Sequence, residues 1–223
     1  MQQLADNLWF LQYKLPVLGV DIHRNVSVIR LASGELVVHS TGPFSPEEVT
    51  AIRALGNPRW MIDVMMRHDT FAKEGRAAFP DALYLAPEGF SEGAEVSTQP
   101  LVQPPEWGDE LELLLLEGVP SMQESVAFHR PSRTLIVADL VFDFGPEEGM
   151  WTNFMMTLIA GFHHHPGVSR PMRMSVKDKE AFKASLAQMM SWDFDRLVPG
   201  HGDVIDTGAK ERMASALREV DLY

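Results

Sequence analysis

The sequence predicts a layered α/β fold with a mixed sheet, and two observations carry that prediction. The first forty residues alternate apolar and polar side chains at period two, and the later chain alternates short apolar runs with helix-spaced segments. Residues 8–12, 26–31 and 35–39 place Val, Ile and Leu at strand spacing, with a Ser33-Gly34 turn between the last two. That pattern reads as a meander of antiparallel strands. Ser45-Pro46-Glu47-Glu48 then starts a helix: Ser45 can accept free backbone N–H groups, Pro46 suits the first helical position and Glu48 closes a capping box. The helix should stop at Gly56-Asn57-Pro58.

Residues 60–65 form a short apolar strand with Asp63 as an anomaly inside it, followed by a polar loop holding Met66, Arg67, His68 and Asp69. A helix over 71–79 and a buried strand over 83–85 follow, the latter ended by Pro87. The stretch 88–107, rich in Pro, Gly, Ser and Glu, reads as a surface loop. Composition does not change across it, so residues 1–223 are expected to form one domain. Residues 110–116, 124–128 and 134–138 read as three more strands, the last two joined by an Arg130-Pro131-Ser132 turn. Helical spacing covers 150–162 and 177–190, Arg196–Val198 is a strand, and a last helix begins near Thr207.

Composition narrows the function classes. Acidic residues outnumber basic ones 31 to 19, and the formal net charge of -12 repels phosphate backbones and anionic membranes alike. The densest basic group, Arg170, Arg173, Lys177 and Lys179, is too scattered to reverse that field. Nucleic acid and membrane are therefore not expected as partners, and a small-molecule substrate or ligand is. Cysteine is absent, which excludes disulfides, thiolate-bound zinc and thiol nucleophiles. The first residues have neither the basic start nor the apolar stretch of a secretory signal, so a cytoplasmic location is expected.

Three polar residues stand just beyond short apolar strands: His68, Asp139 and His201. Strand ends in open α/β sheets are where ligands usually bind. Two imidazoles and a carboxylate suit zinc, iron or manganese, and three protein ligands leave positions open for water and substrate. The glycines flanking His201 let the backbone turn sharply beside a neighbouring group.

The spacing resembles that of the metallo-β-lactamase superfamily. Pro199-Gly200-His201-Gly202 is similar to its C-terminal histidine motif, and Ile136-Val137-Ala138-Asp139 to the strand that delivers its bridging aspartate, with Ala138 where the family usually has Gly. Asp63-Val64-Met65-Met66-Arg67-His68 falls where the family has His-x-His-x-Asp-His. The chain also resembles a branch with a His-Ser-Pro-like strand end, here His39-Ser40-Thr41, and a long helix before Asp-Phe-Asp-Arg, here Asp193–Arg196. The likeness covers nearly the whole chain and implies a four-layer αββα sandwich, two mixed sheets flanked by helices.

Carried over residue by residue, the resemblance implies a pared-down site. His68, Asp139 and His201 match metal ligands of one position. The leading histidines fall on Asp63 and Met65, the aspartate falls on Arg67, and the region 119–123 offers no histidine. One divalent ion, zinc before iron or manganese, is implied on the three survivors, with Asp63 as a base or extra oxygen ligand. Arg67 cannot ligate a cation; it pairs with Asp63, Asp69 or Asp139, or holds an anionic substrate group. Two readings stand: a metal-dependent hydrolase-like protein acting on a small ester, lactone or thioester, or a metal-free binding or interaction module in which the three residues only hydrogen-bond locally, Arg67 substitutes for the missing cation and the Met-rich segment contacts a partner chain or ligand. His163-His164-His165 reads as a solvated turn, since three consecutive histidines cannot all face one ion. The Met- and Phe-rich 150–162 segment reads as core, with a lid or a homodimer surface as its alternatives.

Overall fold

The computed structural model describes residues 1–145, 157, 161 and 166–223. The helix expected over 150–162 and the turn at 163–165 therefore lie outside the described residues, two isolated positions apart. The larger sheet contains seven strands in the order β1 (Gln2–Ala5), β2 (Leu8–Tyr13), β5 (Arg24–Arg30), β6 (Glu35–His39), β7 (Asn57–Ile62), β8 (Leu83–Ala86) and β9 (Gln99–Pro100). It is antiparallel from β1 to β6, as the meander predicts, and parallel from β6 to β9. Between β2 and β5 the chain makes a small hairpin, β3 (Pro16–Val17) and β4 (Val20–Asp21). The smaller sheet runs β10 (Leu111–Leu115), β11 (Ser125–His129), β12 (Thr134–Ile136) and β13 (Arg196–Val198), with β12 and β13 parallel.

Period-two alternation puts both faces of the larger sheet in apolar surroundings. Trp9, Leu11, Val28, Val38, Met61 and Tyr84 cluster with Ile52 of α1 (Pro46–Leu55) and Ala72 of α2 (Ala72–Ala78). The alternate residues Leu8, Phe10, Ile29, Val37, Trp60 and Ile62 join the core shared with the smaller sheet. On that second sheet, Phe128, Leu135 and Leu197 turn to the side of α5 (Lys179–Ser191) and α6 (Ala209–Glu219), where Phe128 stacks on Trp192 at 5.3 Å. Helices, sheet, sheet and helices thus form four layers. The capping box at Ser45 forms as the sequence predicts.

Several boundaries differ from the sequence reading. The loop expected over 88–107 contains α3 (Phe90–Ala94), the edge strand β9 and a 3-10 turn at Pro105–Trp107. Trp107 is fully buried and meets Trp60 edge to face at 5.9 Å, so core packing anchors a stretch whose composition looks like loop. A short helix, α4 (Arg170–Ser175), is capped by Ser169 and was not foreseen. The strand expected over 60–65 ends at Ile62, freeing Asp63–His68 to cross the sheet end. No helix among the described residues is long and apolar enough to cross a membrane.

The two sheets are tied together at one end by side-chain amides. Asn25, buried on β5, donates to the carbonyls of Pro199 and Gly202 at 2.9 and 2.8 Å, and Gln12 donates to Gly202 at 3.0 Å. The backbone N–H of Asn25 also meets the carbonyl of Gly200 at 3.0 Å. Asn25→Ala should therefore lower the unfolding free energy by about 2 kcal/mol, because two carbonyls lose a buried donor. Equal denaturation midpoints for variant and parent would show that the tie is dispensable.

His129 gives a second expectation. It is fully buried at the end of β11, with Nδ1 2.6 Å from the Ser132 hydroxyl and Nε2 without a hydrogen-bond partner among the described residues. Burial brings its pKa down from 6.5 to about 4. The unfolded chain takes up this proton first, so the contribution of His129 is intact above pH 6.5 and is lost as pH falls toward 4. On the order of 3 kcal/mol of acid destabilisation should be absent from His129→Gln, read as unfolding free energy against pH. Parallel curves for the two proteins would rule this out.

Candidate metal centre

The parallel pair β12–β13 sets the site. Ile136 lies opposite Val198, and each strand continues three residues to a functional side chain, Asp139 and His201. The pairing persists beyond the strands through Val137 N–H to Val198 O and Gly200 N–H to Ala138 O, both at 3.0 Å. His68 arrives from the other sheet, six residues past the end of β7. Its loop is fastened to the smaller sheet by Ser125 N–H to Val64 O at 2.8 Å and Met66 N–H to Met122 O at 3.1 Å.

The three residues converge. His68 Nε2 and His201 Nε2 stand 3.2 and 3.1 Å from the same oxygen, Asp139 Oδ1. Their rings lie 5.2 Å apart edge to face, and one donor atom from each of the three residues falls within 4.8 Å of the others. Both imidazoles are buried and Asp139 is partly so. Gly200 makes the approach feasible: a Cβ there would lie 2.9 Å from His68 Cε1 and 2.7 Å from Ala138 O. Gly202, at φ +83°, takes the left-handed turn that follows His201, and a Cβ would collide with the Asp143 carbonyl.

Hydrogen bonding decides the protonation of His201. Its Nδ1 sits 2.5 Å from the carbonyl oxygen of His23, an acceptor only, so Nδ1 carries the hydrogen. In the neutral ring Nε2 then presents a lone pair to Asp139 Oδ1, another acceptor. Two acceptors 3.1 Å apart require a proton or a cation between them. A metal-bound histidine commonly donates its other N–H to a carbonyl in this way. Ligand atoms on a tetrahedral zinc with bonds of about 2.0–2.1 Å lie roughly 3.4 Å apart, close to the 3.2 and 3.1 Å from the two imidazoles to Asp139 Oδ1. The donor set fits a single divalent ion. Phe142 stacks on the His201 ring at 5.3 Å and fixes its plane.

The electrostatics agree with a cation-seeking centre. Burial, followed by the nearby charge of Arg24, brings the His68 pKa down to about 3, which leaves its imidazole neutral and able to ligate. Burial would raise the Asp139 carboxyl, but the bonds from His201 and His68 outweigh it and hold the group well below the ordinary carboxylate range.

Asp63 and Arg67, singled out from the sequence, occupy different places. Asp63 is fully buried and is not one of the three converging donors. Its oxygens accept hydroxyl bonds from Ser40 at 3.2 Å, Thr41 at 3.1 Å and Tyr84 at 2.5 Å, while burial pushes its pKa up to about 6. Arg67 is exposed and forms no ion pair with Asp63, Asp69 or Asp139. The buried cation of this region is Arg24, which sequence reasoning missed. It is 1 % exposed at the start of β5 and donates to Ser40 Oγ at 3.1 Å, one hydroxyl away from Asp63. Its position at the edge of an apolar strand was the only signal in the sequence. Asn25 and the His23 carbonyl, which orient the 199–202 turn, left no signal at all.

No family model matches the chain, and no curated protein does. Solved structures do. A metallo-β-lactamase from Pontibacter korlensis aligns over 99 % of this chain and 97 % of its own, with TM-score 0.65 and 12 % identity. The metallo-β-lactamase FIM-1 from Pseudomonas aeruginosa, in its mono-zinc form, covers 100 % and 96 % at TM-score 0.65 and 10 % identity. The DIM-1 metallo-β-lactamase covers 98 % and 96 % at TM-score 0.64 and 13 % identity. Likeness of this extent at such low identity establishes the architecture: the chain has the metallo-β-lactamase fold.

Proposed function

We propose that this chain is a hydrolase-like protein that holds one divalent metal ion on His68, Asp139 and His201. The observation that carries the reading is the convergence of one donor atom each from His68, Asp139 and His201 within 4.8 Å, with His201 Nδ1 already bonded to the His23 carbonyl. The mono-zinc form of FIM-1 is a precedent on this fold for a single ion. When bound, such an ion lowers the pKa of a water ligand and polarises a carbonyl oxygen.

The chain's own residues supply the rest. The His23 carbonyl and the Phe142 ring keep His201 in one tautomer and one plane, so Nε2 does not have to reorient to ligate. Asp139 stays ionised, since its imidazole neighbours oppose protonation. Arg67, one residue before His68 and exposed, would meet an anionic part of an ester, lactone or thioester. Arg24 and Asp63 form a buried charge pair bridged by Ser40 at the flank of the centre. The substrate classes rest on the carbonyl chemistry that a water-activating ion performs.

Arg24 also favours a second reading, a metal-free binding module in which an internal guanidinium takes over part of the missing positive charge. Metal analysis separates the two. Protein loaded with zinc and dialysed should retain about one equivalent, and His201→Ala should retain almost none while keeping its circular dichroism spectrum. Equal metal content in the two proteins, or none in the parent after loading with zinc, manganese and iron, would sink the single-ion reading. The second of those outcomes supports the binding module.

A further inference from the structure

Glu124 has no place in the site as described so far, yet it is fully buried directly behind Asp139. It immediately precedes β11, and the β11–β12 ladder explains its position. Ala127 pairs with Ile136 in antiparallel register. Three residues back along β11 and three residues on from Ile136, the same register brings Glu124 opposite Asp139. The backbone ladder has ended by this point, and the Glu124 side chain takes its place. Oε1 accepts the N–H groups of Ala138 at 2.9 Å and Leu140 at 3.2 Å, and Oε2 accepts that of Asp139 at 3.1 Å.

Three consecutive N–H groups converge on the two oxygens of one carboxyl group, a nest made by the chain for its own side chain, and these bonds work against the burial and the Asp139 charge that push the Glu124 pKa up to about 8. The nest fixes the backbone on both sides of Asp139, and so the direction of its Cα–Cβ bond. Both imidazoles meet Asp139 through a single oxygen, Oδ1, so a small rotation of that bond would separate them from it. Other backbone bonds at this strand end, Val137 N–H to Val198 O and Ala138 O from Gly200 N–H, stop one residue short of Asp139.

We infer that Glu124 is the positioning residue of the centre: its carboxylate replaces the missing strand ladder and holds the Asp139 carboxylate where His68 and His201 converge. The role goes beyond the single-ion reading, although its effect on zinc rests on that reading. Outer groups that orient a ligand typically change metal affinity by 10–100-fold when altered. Glutamine at 124 keeps the shape but turns an amide NH2 toward one of the three N–H donors, opening one corner of the nest. Aspartate keeps the carboxyl group but is too short to reach all three.

The test uses Glu124→Gln and Glu124→Asp in the full chain, with Ile52→Ala as a control that loosens the core beneath α1, away from the centre. In metal-free protein, amide exchange at 138–140 should rise at least tenfold in both Glu124 variants and not in the control. The imidazole resonances of His68 and His201 should shift in the Glu124 variants alone. Zinc affinity, from chelator competition, should fall by about 10–100-fold in them and stay within threefold of the parent in the control. Faster exchange with unmoved imidazole resonances would reduce Glu124 to a structural residue and overturn the inference. Should the parent take up no zinc, the single-ion reading fails, and the resonance shifts alone then decide the role of Glu124. If the glutamine variant does not fold, the aspartate variant carries the same readouts.

Discussion

One carboxylate oxygen facing two buried imidazoles is the constraint around which this end of the molecule is arranged. Asp139 Oδ1 can meet His68 and His201 together only because three backbone segments arrive within a few ångströms of one another. Two come from neighbouring parallel strands of the smaller sheet and the third crosses from the larger one. Each arrival has its own fastening: the Asn25 amide for the 199–202 turn, the Ser125 and Met66 amides for the loop before His68, and the Glu124 carboxyl for the strand end that carries Asp139. The hydrophobic core between the sheets brings these segments near, but it is non-directional. The polar ties set the final ångström.

Much of this was legible in the sequence, for identifiable reasons. β2, β5 and β6 were legible because Val, Ile and Leu are concentrated in each of them between turn residues, as burial on both faces requires. The capping residues of α1 are local, and local signals survive in a sequence. The convergence of His68, Asp139 and His201 was legible because each lies a few residues past an apolar run. Trp107 was not: its burial depends on Trp60, distant in sequence, while its neighbours look like loop. Arg24 was not legible either. A basic residue at a strand edge normally points to solvent, and only the fold places Ser40 and Asp63 beside it.

Asp63 shows how one buried carboxylate can change a site's electrostatics. Just past the end of β7 this chain has a carboxylate gripped by three hydroxyls, with a guanidinium beyond one of them. A buried charge pair is expensive unless its hydrogen bonds are satisfied, and here the serine, threonine and tyrosine hydroxyls satisfy Asp63. The pair brings its own positive charge to the flank of the centre, and that charge lowers the basicity of His68. A second cation on that side would meet a guanidinium in place of a ligand.

The His23 carbonyl is an unusual anchor, because its residue adopts a left-handed backbone at φ +59° between the small hairpin and β5. Proton placement on the His201 ring thus depends on a peptide group belonging to a segment that leaves the body of the sheet. Any molecule that shifts this peptide would alter the imidazole's readiness to take a partner. By thermodynamic reciprocity, whatever that imidazole holds would in turn bias the posture of the hairpin.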